Sequence, residues 1–247
     1  MLRNIIIFLI ILFPSISLAG NPLYMKPDGT PLGWDTSKTI KYKVDPVGLG
    51  RLSYDQSLAL IQLAMSVWEN VEGAGIRFEY LGPDDEDITQ ENKYEAWDRA
   101  RDGNYVIIMF DNVGDMSIGM GNAGILGVEG DDQKPLYFSS GDIRLDGQYV
   151  DGDDSNEEDC SLLDMMGAIV HELGHLLGLD HSTLHYDIYY DVKWMFAARE
   201  YARYLPTMFP GLTRGTGEHL INLHPDDIAT IQWMYGNGTV PLATGNV

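Results

Sequence analysis

The run His171-Glu172-Leu173-Gly174-His175-Leu176-Leu177-Gly178-Leu179-Asp180-His181 places three imidazoles and a carboxylate within eleven residues. Histidines four apart share one face of a helix, where both can reach a single metal ion. Glu172 stands beside that face and need not bind the metal. Next to a water it can take the proton as that water attacks a carbonyl carbon, which makes it the candidate general base of a peptide hydrolysis. His181 is six residues past His175, and a continuous helix turning about 100° per residue would carry it to the far side. The helix must therefore stop first. Gly178 permits this, because glycine takes the left-handed conformation beyond a helix without a Cβ penalty. Three neutral nitrogens leave a fourth coordination position open, the pattern of a catalytic zinc and not of a structural one.

The competing reading is an apolar helix that happens to carry histidines. For the bare His-Glu-x-x-His pentad it is a serious rival, but a glycine and a third histidine at fixed positions weaken it. With 27 Gly and 6 His in 247 residues, both falling there by accident has a chance of roughly 1 in 380.

The helix that must carry the first two histidines opens at Ser161, which with Asp164 forms a cap, and Leu162 to Leu177 is apolar over most of its surface. It is expected to be buried, so His171 and His175 need partners, and a shared metal is the most economical one. Upstream, Thr39–Val44 alternates as a half-buried strand. Ser53 with Gln56 is a capping box for a helix carrying Leu58, Ile61, Met65 and Trp68. Ile76–Tyr80 and Tyr105–Phe110 read as further strands, and Gly141–Asp146 as another near the active-site helix, offering an edge that could pair with an extended peptide. Pro83–Gly103 reads as a surface insertion, helical from Tyr94 to Arg101, without chemistry of its own. Glycine-rich Gly121–Gly130 reads as a plain loop, or as a stretch whose backbone can approach a ligand closely, and it carries no phosphate motif. Tyr186–Tyr204 is aromatic and helical in its later part, read as packing over the domain with a substrate-contacting role as the alternative, and Asp226–Gly236 is a helix opened by acids that suit its dipole. Strands and helices together imply an α+β domain.

Composition limits the partners. Thirty-seven acidic against 16 basic side chains give a formal charge of −21, which argues against nucleic acid or an anionic membrane surface. The first residues are set apart by Arg3, an unbroken apolar run from Ile5 to Phe13, and small residues at Ser17-Leu18-Ala19. This pattern predicts a signal peptide over 1–19 cut before Gly20, and an exported chain, secreted or periplasmic. An uncleaved anchor is the alternative, but the run is short of the roughly 20 apolar residues a span needs. A monomer with no stable membrane span after cleavage is expected, with an N-terminal segment at 20–33, one domain at 34–236 and a tail at 237–247. Cys160 is the single cysteine, read as a small buried residue; the alternative is a thiolate that caps the zinc. Asp151–Asp159 is dense in acids, and oxygen-rich loops of this kind attract Ca2+, although Asn156 and Leu162 stand where an EF-hand loop needs glycine and glutamate.

The extended motif resembles that of the metzincin metalloproteases, and Ser182 directly after the third histidine is similar to the matrixin branch. Pro206-Thr207-Met208-Phe209-Pro210 is similar to the metzincin Met-turn, which implies Met208 as an apolar floor beneath the zinc histidines. Met195 is the alternative, but it lacks flanking prolines. Asp226-Asp227-Ile228 with Ile231-Gln232 and Tyr235-Gly236 resembles the last matrixin helix, as Trp68 resembles a residue of the first. The resemblance runs from about Trp34 to Gly236 and implies a metzincin/zincin-like α+β fold, a mixed twisted β-sheet packed on a first helix and an active-site helix with a C-terminal helix, and a zinc endopeptidase acting on a peptide or protein substrate. His171, His175 and His181 would hold one zinc ion. The strand with Ile143, Arg144 and Leu145 would hold the peptide extended, and the segment with Pro210 would help wall the pocket after the cut. No histidine precedes His171, so a second zinc site is not expected, nor is a cysteine-switch pro-segment or a haemopexin-like domain. Two rivals remain: a secreted zinc-bearing binding protein without catalysis, and a processing enzyme with one dedicated partner.

Overall fold

A computed structural model of the chain describes residues 20–131, 134–157, 159–182, 204–211, 215 and 217–236. The expected signal peptide, most of the aromatic stretch 186–204 with Met195, and the tail 237–247 lie outside the described residues.

Strand β1 (Ile40–Val44) buries Ile40, Tyr42 and Val44 and turns Lys41 outward, as its alternation requires. Helix α1 (Tyr54–Glu69) is opened by the expected capping box between Ser53 and Gln56. Its buried stripe of Ile61, Ala64, Met65 and Trp68 faces the core. Strand β2 (Phe78–Pro83), helix α2 (Lys93–Gly103) and strand β3 (Val106–Asp111) follow, the last buried along its whole length. Strands β4 (Gly121–Asp131) and β5 (Lys134–Asp146) come next, then a short 3-10 turn at Gly147–Val150 and helix α3 (Leu162–Leu176). Helices α4 (Gly217–Leu220) and α5 (Pro225–Tyr235) complete the described elements.

Among the described residues the strands form one five-stranded sheet in the order β2-β1-β3-β5-β4. The first four are mutually parallel, and β4 runs antiparallel along β5. Alternate residues of β3 face opposite sides. Val106, Ile108 and Phe110 join the main core with Trp68, Leu173 and Leu176, while Ile107 and Met109 pack with Ile88, Ala96 and Ala100 on the other face. The result is the α+β arrangement of a mixed sheet with helices. No helix among the described residues is long and apolar enough to cross a membrane.

Three expectations are corrected. Gly121–Gly130 is not a loop but most of β4, because pairing with β5 outweighs the poor strand propensity of its glycines. Gly141–Asp146 offers no edge: Ile143, Arg144 and Leu145 pair with Ile108, Met109 and Phe110 on one side and with Ala123, Asn122 and Gly121 on the other. Ile143 and Leu145 have no exposed surface at all, so they cannot touch a substrate. The free edge near the histidines belongs to β4. The insertion, finally, is more than surface, since Ile88, Ala96 and Ala100 cover the second face of the sheet.

Candidate metal centre and active site

Helix α3 is fixed from both ends. The Ser161 hydroxyl accepts the Asp164 amide hydrogen at 3.1 Å and caps the first turn. At the other end Gly178 has φ +91°, its amide donates to His175 O at 2.8 Å, and the Leu179 amide donates to Gly174 O at 2.9 Å. Those two bonds form a Schellman closure, the helix stop that His181 requires. Two indoles brace the helix from outside: Trp68 Nε1 donates to Val170 O at 2.9 Å and Trp34 Nε1 to Leu176 O at 2.8 Å.

The same closure orients a ring. The Leu179 carbonyl, turned back beneath the helix, accepts from His175 Nδ1 at 2.8 Å, while Thr207 O accepts from His171 Nδ1 at 2.6 Å. Carbonyls only accept, so both Nδ1 atoms carry the proton and both Nε2 atoms present a lone pair. His181 Nε2 lies 3.3 Å from His171 Nε2 and 3.1 Å from His175 Nε2. A tetrahedral zinc with bonds of about 2.0–2.1 Å sets its nitrogens roughly 3.3 Å apart, which these two separations match, and all three ligand atoms lie within 4.8 Å of one another. Burial, above all, holds His171 neutral by lowering its pKa to about 3, and lowers His175 and His181 as well. Neutral imidazole is the ligand form. Among the described residues no other group of histidine, cysteine or carboxylate side chains converges in this way.

Glu172 lies beside the triad with 6% of its surface exposed. Burial pushes its carboxyl up to about 7, against the pull of the Arg144 charge and a hydrogen bond from the Ala123 amide. A nearby cation favours the charged form of such a group. Strand β4 thus reaches the site directly. At Gly121 a Cβ would stand 2.9 Å from Glu172 Cγ, so the edge strand runs against Glu172 with no room for a side chain.

Met208 is buried, with its thioether packed where a side chain on Gly174 would stand. Its turn is held from two sides: Asp227 accepts the Thr207 amide at 2.8 Å and the Met208 amide at 3.1 Å, and Met208 O accepts the Ser182 amide at 2.7 Å. Burial raises the Asp227 carboxyl to about 6 against three amide donors. Asp226 takes the Ser182 hydroxyl at 2.8 Å and the Gly20 amide at 3.1 Å. The sequence marked Asp226 and Asp227 as helix-opening acids, and their paired contacts to Ser182 and Met208 had no local signal. Pro210 is exposed at the end of this turn.

Two further expectations concern Cys160 and the acidic loop after the sheet. Cys160 is buried ahead of α3, whose run from Leu162 to His171 alone rises roughly 14 Å, so its thiol does not cap the metal site. Three carboxylates of the 151–159 loop turn to that loop's own amides: Asp151 to Asp153, Asp153 to Ser155, Asp154 to Asp159. No three of them converge on a cation among the described residues.

Comparison with known proteins supplies the family. The matrixin family model matches residues 33–201. The chain belongs to the matrixin family. A curated relative, metalloendoproteinase 2-MMP of Arabidopsis thaliana, is 34% identical over 109 residues, which are 40% of this chain and 23% of that protein. The chain thus spans about a quarter of the relative it matches. A solved structure described as the GM1-bound form of the ECX AB5 holotoxin covers 90% of this chain and 91% of its own, with TM-score 0.47 and 15% identity, too low a likeness to decide a fold. The matrixin match ends before Met208 and α5, so the arrangement of those two rests on the contacts just described.

Proposed function

We propose that this matrixin is an exported, monomeric zinc endopeptidase that hydrolyses extended polypeptides at the centre formed by His171, His175, His181 and Glu172. The observation that carries the reading is the convergence of three imidazoles, two of them with Nε2 lone pairs fixed by their Nδ1 contacts, beside a buried carboxylate. The ion, when bound by the three imidazoles, supplies Lewis acidity that polarises the scissile carbonyl and acidifies a water.

The chain's own groups do the rest. The free edge of β4 offers backbone amides and carbonyls to a substrate strand, which explains why the sheet places this edge, and not β5, against the base. Glu172 takes the proton of the attacking water and gives it to the departing amine nitrogen. The Ala123 amide holds its carboxylate in place meanwhile. Leu179 and Thr207 keep His175 and His171 in the tautomer that binds metal. Met208 supports the floor of the site, and the apolar run before Gly20 supports export.

The test is the full chain loaded with zinc and offered denatured protein substrates. Wild type should cut them and a chelator should stop it. Glu172→Ala should keep one zinc per chain and lose at least a thousandfold in rate, the scale of a combined base and electrostatic defect. Equal cleavage by wild type and mutant would end the proposal, and cleavage of one native protein but no general substrate would narrow it to a dedicated processing enzyme.

A further inference from the structure

On its own β4 is a poor strand. Glycine recurs at 121, 124, 127 and 130, and the register against β5 shifts at three places. A glycine-rich edge has weakly specified register, yet this one must hold Glu172 through the Ala123 amide and pack Gly121 against it. Something must pin its first residues.

The pin stands on the neighbouring strand. Asn122 is the register partner of Arg144, and an Arg144 Nη2–H donates to Asn122 Oδ1. The guanidinium is itself fixed. Its Nε lies 2.8 Å from Asp142 Oδ2, whose side chain is 2% exposed, and its centre lies 5.7 Å from the Trp97 ring on α2. The Asp142 carboxylate is pressed against β4, where a Cβ on Gly124 would stand 2.9 Å from its Oδ1. The insertion helix therefore closes a stack in which Trp97, Arg144 and Asp142 sit directly behind the edge that faces substrate.

We propose that Arg144 is a positioning residue for the substrate edge: clamped by Asp142 beneath Trp97, it holds Asn122 so that β4 stays in register for an extended polypeptide. This rests on the endopeptidase reading, which gives the edge its role. Arg144 does not touch substrate in this account; it acts through Asn122, and the 83–103 insertion serves the site by burying the clamp.

The experiment measures binding apart from turnover. In the zinc-loaded Glu172→Ala full chain, affinity for fluorescein-labelled denatured casein is read by anisotropy, with zinc content measured alongside. Arg144→Met alone strands the buried Asp142 and can unfold the protein, so the test variant is Asp142→Asn with Arg144→Met, which removes both charges. That pair and Asn122→Ala should each weaken casein binding about fivefold or more with zinc retained, and combining them should add little, since residues in one network do not add. Unchanged binding, or losses that multiply, would overturn the clamp, as would a Glu172→Ala protein that binds no casein at all. If wild type leaves casein uncut while binding still depends on Arg144, the endopeptidase reading fails and the clamp stands.

Discussion

Met208 and Gly174 touch on the face of α3 that carries the histidines: a Cβ on Gly174 would overlap the Met208 thioether and come within 3.1 Å of the Trp68 ring. Gly174 also precedes His175, so any shift it forces reaches a proposed ligand. Gly174→Ala is therefore expected to cost about 1–3 kcal/mol through overpacking and to weaken zinc retention. Met208→Leu, which conserves volume, should cost less than about 1.5 kcal/mol. Urea denaturation and competition with a chromophoric chelator check both, and a Gly174→Ala protein as stable as wild type would mean that the packing is looser than described.

Ser182 links the third histidine to the last helix. Its hydroxyl donates to Asp226, which is 8% exposed and also takes the Gly20 amide. Ser182→Ala leaves a buried carboxylate short of one donor, a loss of about 1–3 kcal/mol. Because His181 is the preceding residue, zinc affinity should fall as well. Asp226→Asn weakens the same junction from the other side, and the two variants together should cost less than their sum. Additive costs in denaturation would show that the two residues act independently.

Where a signal was local, it was legible. The caps at Ser53 and Ser161 and the left-handed Gly178 follow from short-range geometry and stand as expected. Strand β4 did not, because Gly121 and Gly124 read as loop residues until Glu172 and Asp142 are known to occupy the space their side chains would need. Which strand forms the edge was likewise hidden, since Gly141–Asp146 is a strand in either case and only its neighbours decide whether it is free. The carbonyls of Thr207 and Leu179 illustrate the same limit: every residue has one, and only the fold aims these two at His171 and His175.

Zinc removal should destabilise the fold. His181 Nε2 lies within hydrogen-bond distance of both other Nε2 atoms, and the protons of the His171 and His175 rings are committed to carbonyls, so these nitrogens repel unless a cation or a shared proton lies between them. At a free zinc concentration one hundred times Kd the holo form gains about 2.7 kcal/mol. Thermal melts of wild type should therefore fall on adding a chelator and recover with zinc. His181→Ala should show much less of this difference. A wild-type midpoint indifferent to zinc would count against metal binding at this site.

The stability of the chain should also depend on a carboxyl far from the metal. Asp45, fully buried beyond β1, accepts only long hydrogen bonds from the amides of Val47, Ile88 and Phe110, at 3.3, 3.4 and 3.3 Å. Burial dominates and lifts its pKa from 3.8 to about 7. The folded state thus keeps a proton that the unfolded state releases near pH 4, and stability falls as pH rises through that window, then levels off above about 7. The full span is on the order of 4 kcal/mol. Asp45→Asn stays neutral at every pH and should lack this slope, gaining on wild type between pH 5 and 8 by roughly 2–3 kcal/mol. Zinc-site protonation acts on both proteins alike and cancels in the difference. Denaturant titrations of the two at each pH give it directly, and parallel curves would mean that Asp45 ionises in the folded protein at its ordinary pKa.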